Sequence, residues 1–81
     1  MQLRNLGEVN DFIATVNRCR GEVWLKDKMG SRINLKSALS RYIAIGALLS
    51  DQGNDLELFC QLPEDEPKFY LLFSDHPGME V

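Results

Sequence analysis

The sequence predicts a small α+β domain in which an antiparallel sheet carries helices on one of its faces. Three observations lead there. Apolar residues recur with helical spacing in two stretches and with alternating spacing in several others. The stretches follow in the order strand, helix, strand, strand, helix, strand, helix, which suits one sheet layer under one helix layer. Clusters of Gly, Ser, Asp and Asn separate them. The 81 residues leave room for one domain with one core. Its ordered part is expected over residues 2–75, with a tail at 76–81.

Each element has its own signal. Leu3 alternates with Gln2 and Arg4, which fits a brief edge strand at residues 2–6. From Glu8, the residues Val9, Phe12, Ile13 and Val16 form one helical stripe. Glu8 and Asp11 open this helix and Arg18 and Arg20 close it, the order favoured by the helix dipole, and Gly21 is the expected stop. Residues 22–35 read as a hairpin. Val23 and Leu25 share one face, Glu22, Trp24 and Lys26 share the other, and Asp27-Lys28-Met29-Gly30-Ser31 forms the turn. Gly30 suits a position with positive φ.

A second helix is expected over residues 36–50, with Leu35, Leu39, Tyr42, Ile43, Gly46 and Leu49 in one stripe. Its run Ile43-Ala44-Ile45-Gly46-Ala47-Leu48-Leu49 is apolar on every side, so it is enclosed in the core or meets a partner. After the turn cluster at 50–55, Leu56, Leu58, Cys60 and Leu62 alternate with Glu57, Phe59 and Gln61 as a strand. Pro63-Glu64-Asp65-Glu66-Pro67 looks like a helix entry, acidic at the positive end of the dipole. The apolar run at 68–73 fits a short helix or a buried strand equally well, because periodicity does not separate the two over so few residues. Residues 79–81 are expected to fray.

Composition narrows the function. A net charge of -3 disfavours a general nucleic-acid surface, which needs clustered Lys and Arg. No run approaches the roughly 20 apolar residues of a membrane span, and MQLRNLGEVNDF lacks a secretory pattern, so no membrane partner and a cytoplasmic location are expected. Cys19 and Cys60 lack CxxC spacing and His76 is the single histidine, whereas zinc needs four paired ligands; no metal or other cofactor is expected. Both cysteines fall at core-type positions and are expected as buried thiols, a disulfide between them being the alternative. No nucleophile, base and orienting group occur together, so an enzyme is not expected.

Over residues 3–73 the chain resembles the histidine-containing phosphocarrier family, HPr, of the bacterial sugar phosphotransferase system. The pieces that carry the resemblance are Val9-Asn10-Asp11-Phe12-Ile13, Asn34-Leu35-Lys36-Ser37 and Glu64-Asp65-Glu66. It implies an open-faced sandwich of the order βαββαβα, with a four-stranded antiparallel sheet, three helices on one face and residues 68–73 helical. It also implies a cytoplasmic bacterial protein whose partner is a phosphotransferase-system component or regulator. The family's Leu-His-x-Arg-Pro motif at the start of the first helix is replaced by Arg4-Asn5-Leu6-Gly7-Glu8, with no histidine to accept phosphate and an acid that repels it. His76 stands at the other end of the chain. The resemblance therefore points to a regulatory or interaction module without histidine phosphocarrier activity. Its rivals are a phosphocarrier using another residue and a small ligand-binding module.

Three candidate sites result. Ser37 is either the N-cap of the second helix or, as the resemblance implies, a regulatory phosphorylation site. Ala38, Leu39 and Tyr42 lie where the resemblance places partner contacts, with ordinary core packing as the alternative. Trp24 and Phe59 are expected on the outer sheet face, where two aromatics can support a weak homodimer.

Overall fold

The computed structural model describes residues 1–79. Three helices, α1 (Leu6–Arg18), α2 (Ala38–Leu48) and α3 (Glu66–Asp75), accompany three strands, β1 (Val23–Lys26), β2 (Arg32–Asn34) and β3 (Glu57–Cys60). Short 3-10 segments at Asp51–Asp55 and Pro63–Asp65 complete the chain. The sheet is antiparallel in the order β2-β1-β3. Val23 and Leu25 on β1 are fully buried, while Trp24 is half-buried and Lys26 exposed, so the helices cover one face and leave the other open.

α1 follows its sequence pattern closely. Val9, Phe12 and Val16 are buried, and Phe12 meets Phe69 of α3 at a ring separation of 6.1 Å. The helix begins two residues before Glu8 because Asn5 caps it, its side-chain oxygen accepting the Glu8 N–H at 2.9 Å. It stops at Arg18, ahead of the expected Gly21. The reason is distant in sequence: the buried Asp65 carboxylate accepts the N–H groups of Arg20 at 3.0 Å and Gly21 at 2.9 Å, pulling the chain out of helical geometry. Gly21 is needed for close approach, since a Cβ there would lie 2.7 Å from Leu62 Cγ.

The hairpin turn forms as its residues dictate. Asp27 Oδ1 accepts from the N–H groups of Met29 and Ser31, each at 2.9 Å, and Gly30 takes φ +88°. The ambiguous segment 68–73 is helical. Phe69 and Leu72 are buried three residues apart while Tyr70 and Leu71 between them are exposed, a pattern a strand cannot give.

Two expectations are corrected. Residues 2–6 form no strand, so the described sheet has three strands rather than four. Here the Gln2 N–H donates to Met79 O and the Leu3 N–H to Leu48 O, both at 2.8 Å, which draws the segment between the end of α2 and the C-terminal turn. The expected loose tail is packed as far as Met79, which is fully buried; the expected fraying of residues 80 and 81 lies outside the described residues. Among the described residues no helix is long and apolar enough to cross a membrane. Cys19 and Cys60 are free thiols.

Candidate functional site

α2 divides into two faces. Ala44 and Leu48 are fully buried against the core, with Ile45 and Ala47 packed beside them. The stripe drawn from the sequence faces the other way: Leu39 is 74% exposed, Tyr42 83% and Ile43 63%, and Leu49 and Gly46 are also exposed. Of that stripe only Leu35 belongs to the core. Core packing therefore does not account for Leu39 and Tyr42. Ala38, the first residue of α2, is exposed beside them.

Next to this stripe lies a groove of about 290 Å³, bounded by Val9 and Ile13 of α1 and by Ala38, Arg41, Tyr42 and Ile45 of α2. Arg41 is its one charged residue and is steadied by Asn17, whose Oδ1 accepts from Arg41 Nη1 at 3.0 Å. The surface is an apolar strip across two helices with a cation at its rim. Ile43 and Ile45 fall in the apolar run 43–49, whose lack of a polar side shows that one face is left over without showing which. Ile13, a member of the α1 stripe, is only partly buried and flanks the groove.

Ser37 occupies the N-cap position of α2 with extended backbone, but its hydroxyl makes no capping bond. Its backbone serves the turn instead: its N–H donates to Asn34 O at 3.3 Å and its carbonyl accepts from Arg41 N–H at 2.8 Å. The capping role expected of the side chain is absent, and the hydroxyl stands on an exposed residue at a helix N-terminus.

Trp24 and Phe59 face each other across β1 and β3 on the outer side of the sheet. The guanidinium of Arg32 lies 5.4 Å from the Trp24 ring and the Lys26 ammonium 5.4 Å from the Phe59 ring, so each aromatic has a cation over it.

His76 is not remote in space. The fold returns it to α1, where its Nε2 lies 2.8 Å from Asp11 Oδ2 and its Nδ1 3.8 Å from Glu8 Oε2. Glu8 is itself buried and gripped by Arg4, whose Nη2 donates to Oε2 at 2.6 Å and whose backbone N–H donates to Oε1 at 2.8 Å. That grip holds the Glu8 carboxyl below the usual carboxylate range against the opposing effect of burial. Two carboxylates beside the imidazole make this a poor place for a phosphoryl group. Among the described residues, no cluster of three or more His, Cys, Asp or Glu side chains is arranged to hold a metal ion.

Fold and surface thus define a class: a small α+β domain with an open antiparallel sheet and an exposed apolar face on its second helix. No family model matches the sequence, and no curated protein or solved structure matches it closely enough to count as a relative.

Proposed function

We propose that the chain is a non-catalytic, HPr-like protein-interaction module of the bacterial cytoplasm, regulatory in role and related to the phosphotransferase system but unable to carry phosphate on a histidine. The observation that carries this reading is the exposed stripe Leu39, Tyr42 and Ile43 beside the apolar groove. An apolar strip of this kind is costly to leave in water, and burial by a partner recovers about 25 cal/mol per Å² of apolar area. Tyrosine and arginine, here Tyr42 and Arg41, are among the residue types that dominate binding energy at protein interfaces, and apolar neighbours such as Leu39 and Ile43 help exclude water around them.

Ser37 supplies the regulatory element. Its free hydroxyl lies directly before Ala38 and Leu39, so a phosphate there adds charge at the border of the docking strip and is favoured by the N-terminus of α2. Co-precipitation from a bacterial lysate is expected to recover a phosphotransferase-system protein with the native chain and to lose it with Leu39→Asp and with a phosphoserine at position 37. Recovery that is indifferent to both changes refutes the reading. Incubation with the phosphoenolpyruvate-dependent kinase of the system is expected to leave no acid-labile phosphate. A label on His76 would replace this reading with that of a phosphocarrier using a residue outside the usual motif.

A further inference from the structure

β1 sits in the middle of the sheet, so β3 has a partner on one side only. The direction of its backbone groups follows from register. The Gln61 N–H donates to Glu22 O at 2.9 Å, and bonding direction alternates along an antiparallel ladder, so residues 57, 59 and 61 bond toward β1. Leu58 and Cys60 therefore point their N–H and C=O groups away from the sheet, where no hydrogen bond takes them up among the described residues. The neighbouring outward carbonyl, Leu56 O, accepts from the Met1 ammonium at 3.4 Å, and the open edge begins after it.

Below this edge runs a groove of about 260 Å³ between β3 and α3, lined by Leu58, Phe59, Cys60, Glu66, Phe69 and Tyr70. Tyr70 is 63% exposed beside it. Glu66 is the groove's one charged residue, and Glu57 opens β3; neither forms an ion pair among the described residues. An unpaired edge over an apolar groove with acidic residues near it fits strand addition.

We propose that the β3 edge binds an extended segment of a partner protein as a fourth strand, and that this segment alternates apolar and basic residues. Side chains opposite Leu58 and Cys60 point inward, where apolar groups cover the half-buried Leu58 and the exposed Tyr70. Side chains opposite Glu57 and Phe59 lie on the outer face, where Lys or Arg meets the Glu57 carboxylate and the Phe59 ring. A second copy of this chain fits less well, because it would bring the Glu57 and Glu66 carboxylates of both copies to one edge.

The test uses the full chain, isotope-labelled for NMR, with an end-capped peptide of about eight residues alternating valine and lysine, and a valine and glutamate control. The expected result is saturable shifts confined to residues 57–61 and 66–70, with amide exchange at Leu58 and Cys60 slowed about tenfold or more. The control peptide is expected to leave both unchanged. Cys60→Pro removes an N–H the fold does not use and is expected to weaken binding with the circular dichroism retained. Where that variant does not fold, the double variant Glu57→Lys with Glu66→Lys keeps the backbone intact and is expected to reverse the peptide preference. No shift at peptide concentrations up to about 1 mM overturns the proposal. So do equal binding of both peptides and shifts confined to α2. Sedimentation of the free chain as a dimer with Leu58 and Cys60 already protected also overturns it, assigning the edge to a second copy.

Discussion

The division of α2 into a buried and an open face makes a quantitative prediction with two arms. Leu48 is fully buried, and its carbonyl accepts the Leu3 N–H at 2.8 Å, which ties the backbone there to the N-terminal segment and limits how far the site can collapse. Leu→Ala at such a site costs about 2 to 5 kcal/mol, and restricted relaxation points to about 3 or more. A chain of 81 residues at about 0.05 to 0.15 kcal/mol per residue has only about 4 to 12 kcal/mol in total. With a urea dependence of about 1 to 2 kcal/mol per M, Leu48→Ala should lower the unfolding midpoint by about 2 M. Leu39 is 74% exposed, so Leu39→Asp should change stability by no more than about 0.5 kcal/mol and move the midpoint by less than about 0.5 M. Urea titration followed by Trp24 fluorescence and by circular dichroism measures both. If Leu39→Asp destabilises the fold as much as Leu48→Ala, the stripe belongs to the core and the docking surface does not exist.

Other outcomes follow from single side chains. Lys68, donating at 2.7 Å, and the N–H groups of Gly21 and Arg20 hold the Asp65 carboxyl down to about 2, below the ordinary value of about 3.9. Its contribution to stability is present above about pH 4 and is lost as the pH falls toward 2; Asp65→Asn should flatten that part of the curve of urea midpoint against pH. Burial, with the nearby Cys19 adding to it, pushes the Cys60 thiol up to about 11, so alkylation at pH 8 should be slow in the native protein and reach both cysteines only after denaturation, read by mass spectrometry. Gly21→Ala forces a methyl to within 2.7 Å of Leu62 Cγ and should cost about 1 to 3 kcal/mol in the same urea assay.

The ring of interactions around Asp65 shows how a few polar contacts shape an otherwise apolar fold. A fully buried carboxylate needs partners to compensate for lost hydration, and Asp65 has a side-chain cation and two backbone donors. The same contacts end α1, set the approach to β1 and fix the entry of α3. One acid in a run whose local pattern is that of a helix entry therefore joins three elements.

Local sequence determined the elements whose signals are short-range. The stripe Val9, Phe12 and Val16 fixed the buried side of α1, and Asp27 with Gly30 fixed the hairpin turn. Val23 and Leu25 fixed the inner face of β1. In each case polar neighbours leave one face alone able to enter the core. α2 has no such contrast over residues 43–49, and the tertiary structure alone decided that Ala44 and Leu48 face inward while Leu39, Tyr42 and Ile43 face outward. It also decided that Gln2 and Leu3 bond to Met79 and the end of α2 rather than to the sheet, leaving the β3 edge open. His76 came to rest between Asp11 and Glu8, more than sixty positions away in the chain. Periodicity reports which residues share a face. Which face is buried, and which backbone edge stays unpaired, depends on contacts between segments distant in sequence, and those exist only once the chain has folded.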